Sequence, residues 1–484
     1  MERAKIIFGN EVSPAVYRKA VKSQNKYIKK FGDDRAAVYH LALKDNAILT
    51  PAFGAKELTL SETPCTALPE KSLVVGNIRM GFGHYRISMA IASAARALGY
   101  TPLWLDLNSF STTTCGKIIR HQNDLYSFGS RLSQKSCLFN HLVWEPMNSE
   151  GFRKLSYNAA DQKNAELMTP VFRDLPKDIP YVATHVWPSQ AAVHAGLSHV
   201  VNAIPDNWPM ALHLSEGAVH AVQTPSAYLG YRCLRGMDKK HLLAPMPLDS
   251  LVYTGHYIDH ELVVNIKADC EARRQRAARG EARRYLLTVG GAGAQKDTFV
   301  QIIRMLLPEI RQKKATLFVN VGDHRDVWDA LAAEIPDMAP LVAPCFDDYD
   351  KASAFAQAAL TSVVNGIYAF CNEDIFAAVY VTNLLMRACD FLITKPSELS
   401  FYPVPKLLIH RVGGHEAWGA IRSAEVGDGT YECATPLEVQ SMLQLMQADS
   451  SVLELMCSQI ETANAAGIYN GAYRVVELAA AEKK

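Results

Sequence analysis

Residues 71–107, KSLVVGNIRMGFGHYRISMAIASAARALGYTPLWLDL, read as a strand, a glycine turn ending in His84, a helix of small residues and a second strand. Such a βαβ unit commits its strands to a parallel sheet, because a crossover of this length lays them side by side. A second unit opens near residue 284 with RRYLLTVGGAGAQKDTFVQIIRMLL, again an apolar run, a glycine cluster and an amphipathic helix. Two such openings so far apart predict two α/β domains facing one another.

The length of 484 residues exceeds what one core usually holds, which also favours two domains. Apolar residues make up 49% and charged residues 20%, the balance of a globular protein. Fifty basic against forty-nine acidic side chains leave a formal charge of +1, so no global field attracts nucleic acid and any anion site must be local. The ten cysteines are scattered without a CxxC pair and read as reduced thiols of a cytoplasmic protein. No apolar run approaches the ~18 residues of a membrane span, so membrane contact is expected to be peripheral at most.

Along the chain, residues 1–70 form an extension with one helix over Ser13 to Phe31 and no assigned role. A first Rossmann-like domain is expected over 71–266, with strands at Leu73 to Val75, Leu103 to Leu105, Tyr181 to Thr184, His199 to Ile204, Ala218 to Gln223 and Val252 to Thr254. The arginine-rich stretch 267–283 reads as a solvated connection, since no aromatic residue interleaves with its charges. A second domain is expected over 284–460, with residues 351–390 as two helices, followed by a C-terminal helix in 461–484.

Three motifs follow predicted strands. In Gly81-Phe82-Gly83-His84 the glycines allow a sharp turn and a close ligand approach, while the following helix offers free amides and a positive dipole end. His84 is the candidate base there, with Arg79 or Arg86 as a charge partner; an ordinary tight turn explains the glycines equally well. Gly290, Gly291 and Gly293 occupy the matching position in the second domain, without the spacing of a dinucleotide fingerprint or a P-loop. The third group is Lys395, Ser397 and Glu398 after one strand and Gly414, His415 and Glu416 after the next. Neighbouring parallel strands end on one edge, so these side chains converge, and a carboxylate there suits the two hydroxyls of a ribose. Asp206 and Asn207, in NAIPDNWP, sit in a strand-end loop as further substrate contacts. His185, His194, His199, His213 and His220 lack HExxH or HxH spacing and read as ordinary or pocket-lining histidines, with no metal site expected.

The order of GFGH, PDNWP, AVQTPS, GGAG, ITKPSELS and GGHEAWGA resembles the GT-B glycosyltransferases, nearest the branch of monogalactosyldiacylglycerol synthases and MurG. The resemblance implies two Rossmann-like domains facing across a cleft. It also implies a nucleotide-sugar donor, probed best as a UDP-sugar, on the second domain and an acceptor on the first, without a further cofactor. By the same resemblance, Gly81, Gly83 and His84 lie near the reacting centre, Gly290 to Gly293 contact the diphosphate, Glu398 the ribose, and His415 with Glu416 the sugar. His84 and Glu416 are then the catalytic candidates, and Arg86, Asp206 and Asn207 line the acceptor side. A hexosyltransferase acting on a lipid or glycan hydroxyl follows, with no DxD-like motif and so a metal-independent mechanism. Two departures stand out: the turn Lys395-Pro396-Ser397-Glu398 is shorter than the family's KxGxxT pattern, and His415 replaces a glutamine. A nucleotide-sugar 2-epimerase and a catalytically degenerate nucleotide-sugar binder are the alternatives.

Overall fold

The computed structural model describes residues 2–63, 67–135, 151–291 and 293–481. Two of the ten cysteines, Cys65 and Cys137, and Ala292 of the GGAG motif lie outside them. A short antiparallel pair, β1 (Ile6–Ile7) and β2 (Asn10–Glu11), precedes two large sheets. The first sheet contains β3 (His40–Asp45), β4 (Lys56–Ser61), β5 (Ser72–Asn77), β6 (Thr101–Asp106), β7 (Tyr181–Ala183), β8 (Val200–Ala203), β9 (Val219–Val222) and β10 (Leu251–Tyr253). Its spatial order is β10-β9-β8-β7-β5-β6-β4-β3, parallel except for the edge pair β3–β4. The second contains β11 (Arg283–Thr288), β12 (Ala315–Asn320), β13 (Val342–Phe346), β14 (Gly366–Cys371), β15 (Phe391–Thr394), β16 (Lys406–Ile409) and β17 (Gly429–Cys433). Their order is β13-β14-β12-β11-β15-β16-β17, and all neighbours are parallel.

Helices cover both faces of each sheet, so the central strands are apolar without alternation: Leu73, Val74 and Val75, like Tyr285, Leu286 and Leu287, are wholly buried. In both sheets the first strand of the βαβ unit lies centrally and the chain winds outward in two directions. The carboxyl ends beside that reversal are where such folds leave a crevice. The molecule is thus two Rossmann-like domains facing across a cleft, the GT-B arrangement.

The structure corrects four details of the sequence reading. Residues 1–70 are part of the first domain: β3 and β4 extend its sheet, and Ile48, Leu49 and Phe53 enter its core. The helix Pro14–Phe31 begins where Ser13 Oγ accepts from the Val16 amide at 3.3 Å. The stretch 267–283 is no solvated connection, since the helix Ile266–Ala278 packs on the second domain. Its Arg273 donates to the carbonyls of Cys389 and Met386, each at 2.9 Å, and Arg276 pairs with buried Asp390 at 2.7 Å. Residues 351–390 hold a strand between two helices: IYAFC after Gly366 is β14, and Asp374 then caps the helix Ile375–Ala388 through the amides of Phe376 and Ala377. Finally, the helix Ser451–Ala465 stays in the second core, and it is the helix Gly471–Ala480 that crosses back to pack on the helix Gly83–Ala97.

That same first-domain core also joins the domains. Phe376, Ala377, Val379 and Tyr380 of the second domain bury against Tyr85, Trp104 and Phe53 of the first, with the rings of Tyr85 and Phe376 stacked at 5.6 Å. No helix among the described residues is long and apolar enough to cross a membrane.

Candidate active site

The carboxyl ends of β5 and β8 face those of β11, β15 and β16 across a cavity of about 360 Å³. Its walls include Gly81, Gly83, His84, Arg86, Asp206 and Asn207 from the first domain. From the second come Gly290, Gly291, Lys395, Ser397, Glu398, His415 and Glu416. Of the residues of the three motifs singled out in the sequence, Arg79, Gly293 and Gly414 do not line it. Gly293 instead takes a φ of +63° beside His324, where a Cβ would meet Nδ1 at 3.1 Å.

The two glycine loops touch. A Cβ on Gly291 would lie 2.7 Å from Gly81 Cα and from the Phe82 amide nitrogen, so only glycine lets the two backbones meet there. Phe82 reaches across against Gly322, and Arg79 pairs with Asp323, closing one end of the cleft. Three helices start at the cavity wall with no side chain capping them: Gly83–Ala97, Lys296–Arg311 and Ala417–Val426. Their positive ends arrive from both domains, which favours an anionic ligand.

His84 Nδ1 lies 2.6 Å from the Thr184 carbonyl oxygen. A carbonyl only accepts, so the proton of the neutral ring sits on Nδ1 and Nε2 keeps its lone pair. Burial lowers its pKa, opposed by the Thr184 carbonyl and by Asp206, which keeps the ring neutral and basic. Asp206 behaves oppositely: burial works against its charge, but the imidazoles of His213, His415 and His84 outweigh burial and hold its carboxyl well below the usual range.

Several candidates are spent on one another. Arg86 is buried, and rather than facing a substrate it donates to Glu398 Oε1 at 3.2 Å, to the Val379 carbonyl at 3.1 Å and to Asn383 Oδ1. Glu398 therefore reaches across the cleft, and a Cβ on Gly83 would press within 3.2 Å of its Oε2. Glu416, expected as a catalytic carboxylate, uses Oε1 on Lys395 and Oε2 on the amides of Val412 (2.8 Å) and Gly413 (3.2 Å). That arrangement holds a loop and a lysine and leaves no oxygen to take a proton. Burial lowers the pKa of Lys395, against the pull of Glu398 and Asp206. Asn207 likewise donates to the Trp418 carbonyl at 3.1 Å and accepts from Thr224, tying the domains together.

The sequence reading missed His324, Phe82 and Asn123, all of which line the cavity. His324 follows β12 in VGDH, a strand-end glycine turn of the same kind as GFGH, and that signal was available. Among the described residues no group of three or more His, Cys, Asp or Glu side chains is placed to hold a metal ion.

Fold and site define a two-domain α/β protein of the GT-B arrangement whose cleft offers backbone amides, helix ends, one basic histidine and one charged aspartate. A family model described as a domain of unknown function (DUF6937) matches residues 6–233, and another so described (DUF6938) matches residues 246–480. The first match includes the N-terminal strands, as the sheet does. No curated protein sequence matches the chain. Among solved structures, UDP-GlcNAc 2-epimerase from Neisseria meningitidis, bound to UDP-GlcNAc, is similar at 12% identity with a TM-score of 0.42, covering 84% of this chain and 98% of that one. The α,α-trehalose 6-phosphate synthase from Burkholderia multivorans matches at 12% identity and a TM-score of 0.39, over 84% of this chain and 96% of that one. A glycosyltransferase from Rickettsia africae matches at 11% identity and a TM-score of 0.39, again over 84% and 96%. What the cleft does rests on the residues of this chain and not on these likenesses.

Proposed function

We propose that the protein transfers a sugar from a nucleotide-sugar donor, with UDP as the nucleotide, to a hydroxyl acceptor. The observation that carries this reading is the opposition, in one cavity, of the Gly290–Gly291 and Lys395–Glu398 loops to His84 and Asp206. The second-domain amides and the helix Lys296–Arg311 suit a diphosphate leaving group, where negative charge grows as the bond to the sugar breaks. His84 Nε2 is the base for the acceptor hydroxyl, and the domains hold the two reactants together. Glu398, through Oε2 because Arg86 holds Oε1, and Ser397 are the ribose contacts, and His415 stands beside the sugar on the loop that also contains Gly414, itself off the cavity wall. The motif order favours the monogalactosyldiacylglycerol synthase and MurG branch, with a cytoplasmic protein whose thiols stay reduced.

A 2-epimerase is the second reading, favoured by the proximity of His84 and Asp206 on one wall, an acid–base pair that needs no acceptor. Incubation with UDP-sugars alone separates the two, since only the epimerase turns over without an acceptor. The test of nucleotide binding is a thermal-shift screen with UDP, GDP, CDP and ADP, in which UDP should raise the melting temperature most. Glu398→Ala should weaken calorimetric UDP binding by about 1–3 kcal/mol. A protein whose melting temperature responds to none of the four nucleotides is not a nucleotide-sugar enzyme.

A further inference from the structure

Asp206 stands in the cleft with Oδ2 3.2 Å from His213 Nε2, an ion-pair contact in which Nε2 is not aligned as a hydrogen-bond donor, and its side chain keeps 34% of its exposure against 7% for His213. The turn that carries His213, Ala211–His213, and the two residues after it are gripped from behind by side chains of four separate elements. Asn158 Nδ2 donates to the carbonyls of Ala211 (2.8 Å) and Leu214 (2.7 Å). Gln190 Nε2 donates to Leu214 at 2.9 Å, and Asn202 Nδ2 to the His213 carbonyl at 2.7 Å. The Ser215 amide donates to His220 Nε2 at 2.9 Å. Asn158, Gln190 and His220 are wholly buried and Asn202 nearly so. Sinking three carboxamides and an imidazole into a core is costly, all the more because Asn158 Oδ1 and Gln190 Oε1 have no hydrogen-bond partner among the described residues, and the bonds their amide nitrogens make fix one short turn. The consequence of that rigidity is the placement of a single imidazole against a single cleft carboxylate.

A hydroxyl carries one proton, and in the proposed transfer the reacting hydroxyl gives it to His84 Nε2. Asp206, on the same wall, accepts from a different donor. We propose that Asp206 binds a second hydroxyl of the acceptor, beside the reacting one, and that His213 is a positioning residue that fixes this carboxylate. The acceptor is then a polyol, either a free sugar or glycerol-like molecule or the headgroup of a glycolipid. This deepens the glycosyl-transfer reading and rests on it. In the step, the acceptor oxygen bonds to the anomeric carbon of the donor sugar, its proton passes to His84 Nε2, and the bond from that carbon to the diphosphate oxygen breaks. The electron pair of that bond leaves with the diphosphate, and Asp206 ends as it began, ionised, facing the new imidazolium. The charged and titratable groups around Asp206 are His213, His84, His185 and Tyr231 of its own domain and His415 and Lys395 of the other.

Two measurements test this. The first needs no substrate: the carboxyl carbon of Asp206 is titrated by NMR in the wild type, in His213→Gln, which keeps a donor near Nε2, and in His213→Leu, which removes it. The midpoint is expected to rise by about one unit or more in His213→Leu and by less in His213→Gln. Unchanged midpoints in both variants overturn the positioning role. The second follows UDP release from UDP-glucose with glycerol, methyl glucoside, ethanol, or vesicles containing either dioleoylglycerol or a glucosyl lipid. Turnover is expected with polyols, free or as the glucosyl headgroup, and Asp206→Asn should raise their KM about tenfold or more with UDP affinity unchanged. Equal turnover with ethanol or dioleoylglycerol, or none with any polyol, overturns the acceptor assignment. Failure to bind UDP instead removes the donor reading while the titration result stands.

Discussion

At the scale of single residues, the cleft separates groups that are committed from groups that are left to react. His84 has its tautomer set by the Thr184 carbonyl, so its free nitrogen is the one on the reacting side. His84→Gln should therefore lower kcat by about a hundredfold or more with little change in donor affinity, measured as UDP release against calorimetric UDP binding. Equal losses in both would make His84 a binding residue. His84, Asp206 and Glu398 were legible in the sequence because each follows a strand that ends on the cleft edge. What Arg86 and Glu416 do was not legible: their types suggest charge for a ligand, but their charges are cancelled by Glu398 and Lys395.

At the scale of elements, the helices Leu155–Ala165 and Val186–His194 meet along a polar seam inside the first domain. Asp161 lies in it, 6% exposed, and Oδ2 has no hydrogen-bond partner among the described residues. Burial pushes its pKa up to about 8 from an ordinary 3.8, against the stabilising contact of Trp187. A carboxyl whose folded pKa lies above its unfolded one favours the fold fully only at low pH, and that contribution is lost as pH rises from about 4 to about 8. Asp161→Asn should accordingly be more stable than the wild type at pH 8, by about 2 kcal/mol in urea denaturation, and the difference should shrink toward pH 4. A constant difference across that range would show that the carboxyl does not titrate there. Most elements were legible from apolar runs and caps, but β3, β4, β14 and β17 were not. IYAFC in β14 is short and flanked by weakly polar helices, so local pattern alone did not separate strand from helix.

At the scale of the molecule, the domains are joined by an apolar core and one buried cross-cleft ion pair. Arg86 anchors the first domain to the second through Glu398, Val379 and Asn383, and Asn383 in turn donates to buried Asp259 at 3.0 Å. Removing one partner of a buried pair leaves the other charge uncompensated, at a cost of about 3 kcal/mol. Arg86→Ala should lower the melting temperature and increase the radius of gyration in small-angle scattering, as the cleft opens. An unchanged radius would mean that the shared core around Phe376 holds the domains without this pair.

The sequence by itself determined the two βαβ openings, the parallel sheets they demand and the glycine loops at the strand ends, because periodicity and turn chemistry act over a few residues. Only the tertiary structure decided which polar groups face each other. Arg86 and Glu398 are 312 positions apart, and Asp206 and His213 meet because three buried amides fix the turn between them. A charge is free or cancelled according to what lies within a few ångströms, and that distance is set by how the two sheets come together.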